Sequence, residues 1–150
     1  EILWSNLIKI TSKLDPAVIK IAFIFLLVGY GTKIGLAPLH NWLPDTYSQS
    51  PAPVSALLSG LLSTVSLYAL IRFKIFANLV LVNNLPGNLM IIFGLLSFVV
   101  AAIMLQRQRD IKRLFAYSSI EHIGVITFIF GLGGAYIGLF YLLILPLIFS

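Results

Sequence analysis

The sequence predicts an all-α integral membrane protein, a multi-span helical bundle with one discontinuous helix. Three observations predict it. Of 150 residues, 59% are hydrophobic and 10% are charged, with a mean hydropathy of +1.02. Soluble domains carry about 25% charged residues, and the charges here are too few to coat a soluble bundle. Apolar runs of bilayer-crossing length alternate with short segments rich in Pro, Gly or charge. One run ends in GTKIGLAPLHNWLPD, Gly31 to Asp45, where a lysine, two prolines, a histidine and an aspartate interrupt it.

The elements follow in order. EILWSNLIKITSKLD (1–15) mixes apolar and basic residues around Trp4, and reads as the end of a preceding span or as an interfacial helix. Pro16 suits the first turn of a helix, with Asp15 as its N-cap. Residues 17–37 form the first span, and residues 54–76 the second, after the polar stretch HNWLPDTYSQSPAP. Asn83, Asn84, Pro86 and Gly87 make a turn before the third span, 89–106. The basic loop RQRDIKR (107–113) leads into the fourth, 114–132, closed by Gly131, Gly133 and Gly134. Residues 135–150 open a fifth, short of the roughly 20 residues a crossing needs. The chain starts at Glu1 and stops inside an apolar run. It reads as a single transmembrane domain, 1–150, that is a piece of a larger subunit.

Several functions are excluded. Without cysteine there is no thiolate-held metal or cluster. His40 and His122 lie far apart in sequence, so no metal site is expected. The net charge of +5 sits on loops between apolar runs, which suits a membrane surface and not nucleic acid. No signal peptide, internal repeat or low-complexity tract is visible. Orientation is left open by the loop cations. Lys9, Lys13, Lys20, Arg72 and Lys74 fall on one side, and Arg107, Arg109, Lys112 and Arg113 on the other.

Depth arithmetic singles out the polar residues. If Lys20 marks the membrane surface, Lys33 lies about 20 Å deeper at 1.5 Å per residue, inside a hydrocarbon core about 30 Å thick. Such a cation occupies a bundle interior or a water-filled cavity. Alternatively the span ends near Gly35 and Lys33 snorkels to the far surface. Leu36–Pro38 and Leu43–Pro44 are expected to interrupt the helix and free backbone carbonyls. His40 and Asp45 fit either this broken helix or an ordinary polar loop. Ser55, Ser59, Ser63 and Ser66 share one face of the second span beside Gly60 and Thr64. That face serves close packing or lines a hydrated path. Glu121 and His122 fall near mid-membrane on the fourth span, with Ser118 one turn before His122. They read as relay groups, or Glu121 is protonated or paired and serves packing.

Two longer blocks carry a family resemblance. TKIGLAPLHNWLPDTYSQSPAPVSALLSG (32–60) and RDIKRLFAYSSIEHIG (109–124) resemble the two signature blocks of the antiporter-like membrane subunits. These occur in respiratory complex I, in group 4 hydrogenases such as hydrogenase-4 and formate hydrogenlyase, and in multisubunit cation/proton antiporters. The first block is most similar to the hydrogenase-4 type. The resemblance implies an inverted-repeat antiporter-like fold of about fourteen helices with broken helices at depth. This chain would cover the end of the first repeat and the start of the second.

Lys33 matches the family's central lysine on the discontinuous helix, whose carboxylate partner lies on an earlier helix. The DIKR loop would face the cytoplasm of a bacterium. Two departures stand out. Thr64 replaces a lysine that many members carry four residues after the glycine matching Gly60. Tyr141, Leu145 and Phe149, around Pro146, stand where many members have two histidines and a lysine.

The resemblance implies a proton- or cation-translocating subunit of a complex I-like NADH:quinone oxidoreductase or group 4 hydrogenase, in a prokaryotic inner membrane or an equivalent energy-transducing membrane. Its partners would be other membrane-arm subunits, the lipid bilayer, and protons or sodium. It would bind no cofactor, and would serve a redox-driven enzyme without a redox centre or catalytic residue of its own. Lys33, His40, Glu121 and His122 are the proton-translocation candidates, and Ser59, Ser63 and Thr64 line the candidate hydrated path. Two alternatives are a non-transporting scaffold subunit of the same arm and a stand-alone sodium/proton antiporter.

Overall fold

A computed structural model of the chain describes residues 14–133 except Val82. The first segment up to residue 13 and the fifth expected span, with Tyr141, Leu145, Pro146 and Phe149, lie outside the described residues. Those described are helical throughout, without a strand.

Helix α1 is Pro16–Ile34. Asp15 caps it as the sequence predicts, its carboxylate accepting the Ala17 amide at 2.9 Å, with Pro16 in the first turn. The helix stops three residues earlier than the expected span because Gly35 takes the left-handed region, φ 85°. The Gly31 carbonyl then accepts both the Gly35 and Leu36 amides, at 2.9 and 2.8 Å. A break of turns follows, with a cis Ala37–Pro38 bond.

Helix α2, Trp42–Gln49, resumes the path. Pro44 was expected to interrupt the chain, but it falls in the first turn of α2. An amide there has no intrahelical acceptor, so proline costs nothing. The discontinuity is therefore confined to residues 35–41, between two helices.

Helix α3 runs from Ala52 to Val80, through a π turn at Leu58–Leu62. It extends four residues beyond the expected span, and Arg72 and Lys74 lie within it as that span had them. Helices α4, Leu85–Leu105, and α5, Ile111–Gly131, complete the set. Asp110 caps α5, its carboxylate accepting the Lys112 amide at 3.1 Å, which draws three residues of the basic loop into the helix. Four helices, counting α3 as one, are long and apolar enough to cross a membrane.

Successive membrane-crossing helices run antiparallel. The tightest pairing is α4 on α5, where small residues let the backbones meet. A Cβ on Gly94 would lie 2.6 Å from the Phe128 nitrogen and 2.7 Å from the Gly124 carbonyl oxygen. On the other flank α1 packs against α3, with Tyr30 stacked on Phe73 at 6.2 Å between ring centres. The main core joins Phe23 and Leu27 of α1, Leu67 and Leu70 of α3, Met90 of α4 and Ile123 of α5. A smaller core beneath α2 joins Leu43 and Tyr47 to Ala101, Ala116 and Ile120.

Gly94→Ala should lower the unfolding temperature of the detergent-solubilised protein, since overpacking costs about 1–3 kcal/mol. Gly29→Ala is the control: nothing lies within 4 Å of its Cβ, and helix propensity should hold or raise the transition. Parallel thermal scans of the two variants decide the point.

Candidate functional site

The break sits at mid-depth. Helices α4 and α5 have 21 residues each, about 30 Å, which matches the hydrocarbon core. Ser97 lies close to the middle of α4, about 18 Å from its start. It is fully buried, and its hydroxyl accepts the Ala37 amide at 2.8 Å while donating to the Phe93 carbonyl at 2.7 Å. A second tie crosses the break, from the Trp42 indole nitrogen to the Thr32 carbonyl at 2.7 Å. The freed backbone groups are thus met by protein, as non-helical chain at this depth requires.

Lys33 occupies the last turn of α1, two residues before Gly35. The snorkelling alternative needs α1 to end there, and it does, but that end is level with the middle of α4 and not with the surface. The Lys33 side chain is exposed and opens onto an outward groove of about 350 Å³ lined by Phe25, Leu26, Gly29 and Tyr30.

His40 lies in the break, 7% exposed, with its ring edge-on to Tyr117 of α5 at 6.5 Å. Among the described residues its Nδ1 has no hydrogen-bond partner. Asp45 is exposed on α2 and pairs with Arg113 of α5 at 2.9 Å, while Lys112 donates to the Ser50 carbonyl at 3.3 Å. These contacts bring the two signature blocks together at the basic-loop end.

The serine face of α3 packs on Tyr47. The Tyr47 hydroxyl shares hydrogen bonds with Ser59 and Ser63. Ser59, Ser63 and Ser66 are buried, and Ser55 is half-buried. The Ser63 hydroxyl also reaches the Leu58 carbonyl at 3.2 Å across the π turn, and the Thr64 hydroxyl donates to the Gly60 carbonyl. Glu121 and His122 are half-buried near the middle of α5, about 15 Å from its start.

Four residues escaped the sequence reading. Ser97 and Tyr117 look like ordinary helix residues in sequence. Tyr47 follows the signature aspartate by two positions and carries no pattern of its own. Lys74 was counted only among the cations on one side of the membrane, yet it is 8% exposed and donates to the Phe130 carbonyl in the last turn of α5. The apolar run Ile75 to Leu81 beyond it was the available signal.

The fold defines a polytopic membrane protein with a helix broken at mid-depth. Residues 4–150 match the family model described as NADH:quinone oxidoreductase/Mrp antiporter, transmembrane, and the chain belongs to that family. It is 54% identical over 132 residues to a hydrogenase-4 component F homolog of Methylacidiphilum infernorum, covering 88% of this chain and 28% of that protein. It is 37% identical over 124 residues to NAD(P)H-quinone oxidoreductase chain 4 of Gloeobacter violaceus, covering 81% and 23%. It is 38% identical over 120 residues to NADH-quinone oxidoreductase subunit N of Desulforudis audaxviator, covering 76% and 23%. The chain thus spans about a quarter of the length of these relatives.

Ser97→Ala should strand the Ala37 amide, a buried orphan worth about 1–3 kcal/mol, and lower the unfolding temperature without altering helix content by circular dichroism.

Proposed function

We propose that the chain is the central part of an ion-translocating subunit in a complex I-like or group 4 hydrogenase-like membrane arm, with Lys33 as its proton carrier. The observation that carries the reading is a lysine two residues ahead of a helix break tied to the middle of the bundle. A cation at the centre of a bilayer costs at least about 2.5–3.5 kcal/mol, so such residues are covered by protein or water. The face bearing Lys33 is open among the described residues. A carboxylate-bearing helix from elsewhere in the longer protein would cover it and share its proton.

His40, Glu121 and His122 would pass protons onward. A buried imidazole beside the break, its Nδ1 without a partner among the described residues, suits a proton acceptor. Ser59, Ser63 and Thr64 would line a hydrated stretch when the Tyr47 contact opens. Electron transfer would take place in partner subunits, and this chain would hold no cofactor. The protein would sit in a prokaryotic inner membrane or an equivalent energy-transducing membrane, carrying protons or sodium.

A scaffold role is the second reading, favoured by Thr64, whose hydroxyl is spent on the Gly60 carbonyl of its own helix. Lys33→Ala in the full-length protein, assayed in sealed inverted vesicles with the complex assembled, separates the two. Redox-driven proton uptake should fall at least tenfold. Unchanged uptake would establish the scaffold reading. Exchange of sodium for protons without any redox partner would point instead to a stand-alone antiporter.

A further inference from the structure

Lys74 has no part in the scheme above. It lies on α3 about 9 Å short of the end of that helix at Val80, measured along the axis. This end is opposite the 106–110 loop, because α3 and α5 both run toward it. A lysine one or two turns from a helix end ordinarily reaches out to water. Lys74 instead turns inward and donates a hydrogen bond to the Phe130 carbonyl.

That carbonyl belongs to the negative end of α5, which favours the ammonium form. An ammonium has three donors, and among the described residues Phe130 is the acceptor it meets. On the same face of α3, Leu70 one turn before it is fully buried, and Ala77 three residues after it is nearly so. The carbonyl favours the charged amine and the apolar wall favours the neutral one. A lysine held between the two can gain and lose a proton without moving its helices.

Its position along α5 is equally specific. His122, Ile126 and Phe130 recur at spacings of four on one face. Lys74 therefore rests two turns, about 12 Å, beyond His122. Between the two levels lie Ile126 and Leu70, both with no exposure. Among the described residues, these two apolar side chains form a barrier between the polar layer at mid-depth and Lys74.

We infer that Lys74 is a second proton-carrying lysine, through which protons pass between this barrier and the membrane face opposite the 106–110 loop. The inference rests on the transport reading above. In the outward step the ammonium releases one proton to water at that face and becomes a neutral amine. One proton arriving from the interior across a transient water chain restores the ammonium, so one proton enters for each that leaves.

The test uses the full-length protein in its assembled complex, in sealed inverted vesicles, with Lys74→Arg and Lys74→Met. Arginine keeps the charge and can donate to the Phe130 carbonyl, but does not release its proton. A proton carrier predicts that redox-driven proton transport falls at least tenfold in both variants. A lysine that merely caps α5 predicts that Lys74→Arg transports like the unaltered protein, and that result overturns the inference. So does normal transport by Lys74→Met. If Lys74→Met fails to assemble, Lys74→Arg decides alone. Lys33→Ala in the same vesicles keeps the two proposals apart. Loss there with normal transport by Lys74→Arg removes only the role of Lys74, whereas normal transport by Lys33→Ala removes the reading beneath it.

Discussion

The buried hydrogen bond from the Ala37 amide to the Ser97 hydroxyl is the contact on which the broken helix depends. A chain that leaves helical geometry inside a bilayer exposes backbone groups that lipid cannot satisfy. Here the interruption is tolerable because α4 offers a hydroxyl at the right depth, and α2 returns an indole to the Thr32 carbonyl. Ser97 can reach Ala37 because α4 is itself fixed, its glycine face set against the backbone of α5. Close α4–α5 packing, the seat of the break and the level of Lys33 are consequences of one another.

The same dependence runs to the basic-loop end. Helix α2 is short, with eight residues, and could not hold its position alone. It is secured by Leu43 and Tyr47 in the smaller core and by the exposed Asp45–Arg113 pair. An exposed ion pair contributes little, about 0.2–1 kcal/mol, so burial of Tyr47 against the serine face is the stronger anchor. The π turn at Leu58–Leu62 adds one residue to the helix there, and Tyr47 fills the resulting contact through Ser59 and Ser63.

Much of this was legible in the amino-acid order. Membrane character, the four spans, the Asp15 cap and the interruption after Lys33 follow from hydropathy and from Gly and Pro chemistry. The boundary errors have physical causes. Pro44 looked like a breaker because proline usually is one, and the first turn of a helix is where that fails. Lys74 looked like a cation near a span end that reaches the surface, and only the packing of α5 beside it supplies an acceptor at that depth. Ser97 and Tyr117 act across helices, and one-dimensional patterns do not encode which helix face meets which. The proton-carrying candidates came from polar residues at depth and from the family resemblance, and the structure adds their neighbours.

The indole of Trp42 has a consequence for how this molecule can be watched. It is anchored to Thr32 across the interruption, so its ring straddles the two halves of the discontinuous helix. The chain contains two tryptophans, Trp4 and Trp42. With Trp4 replaced, the chain would carry one tryptophan, seated on its hinge. Emission wavelength and quenching would then follow the opening or wetting of the break in real time, without a label.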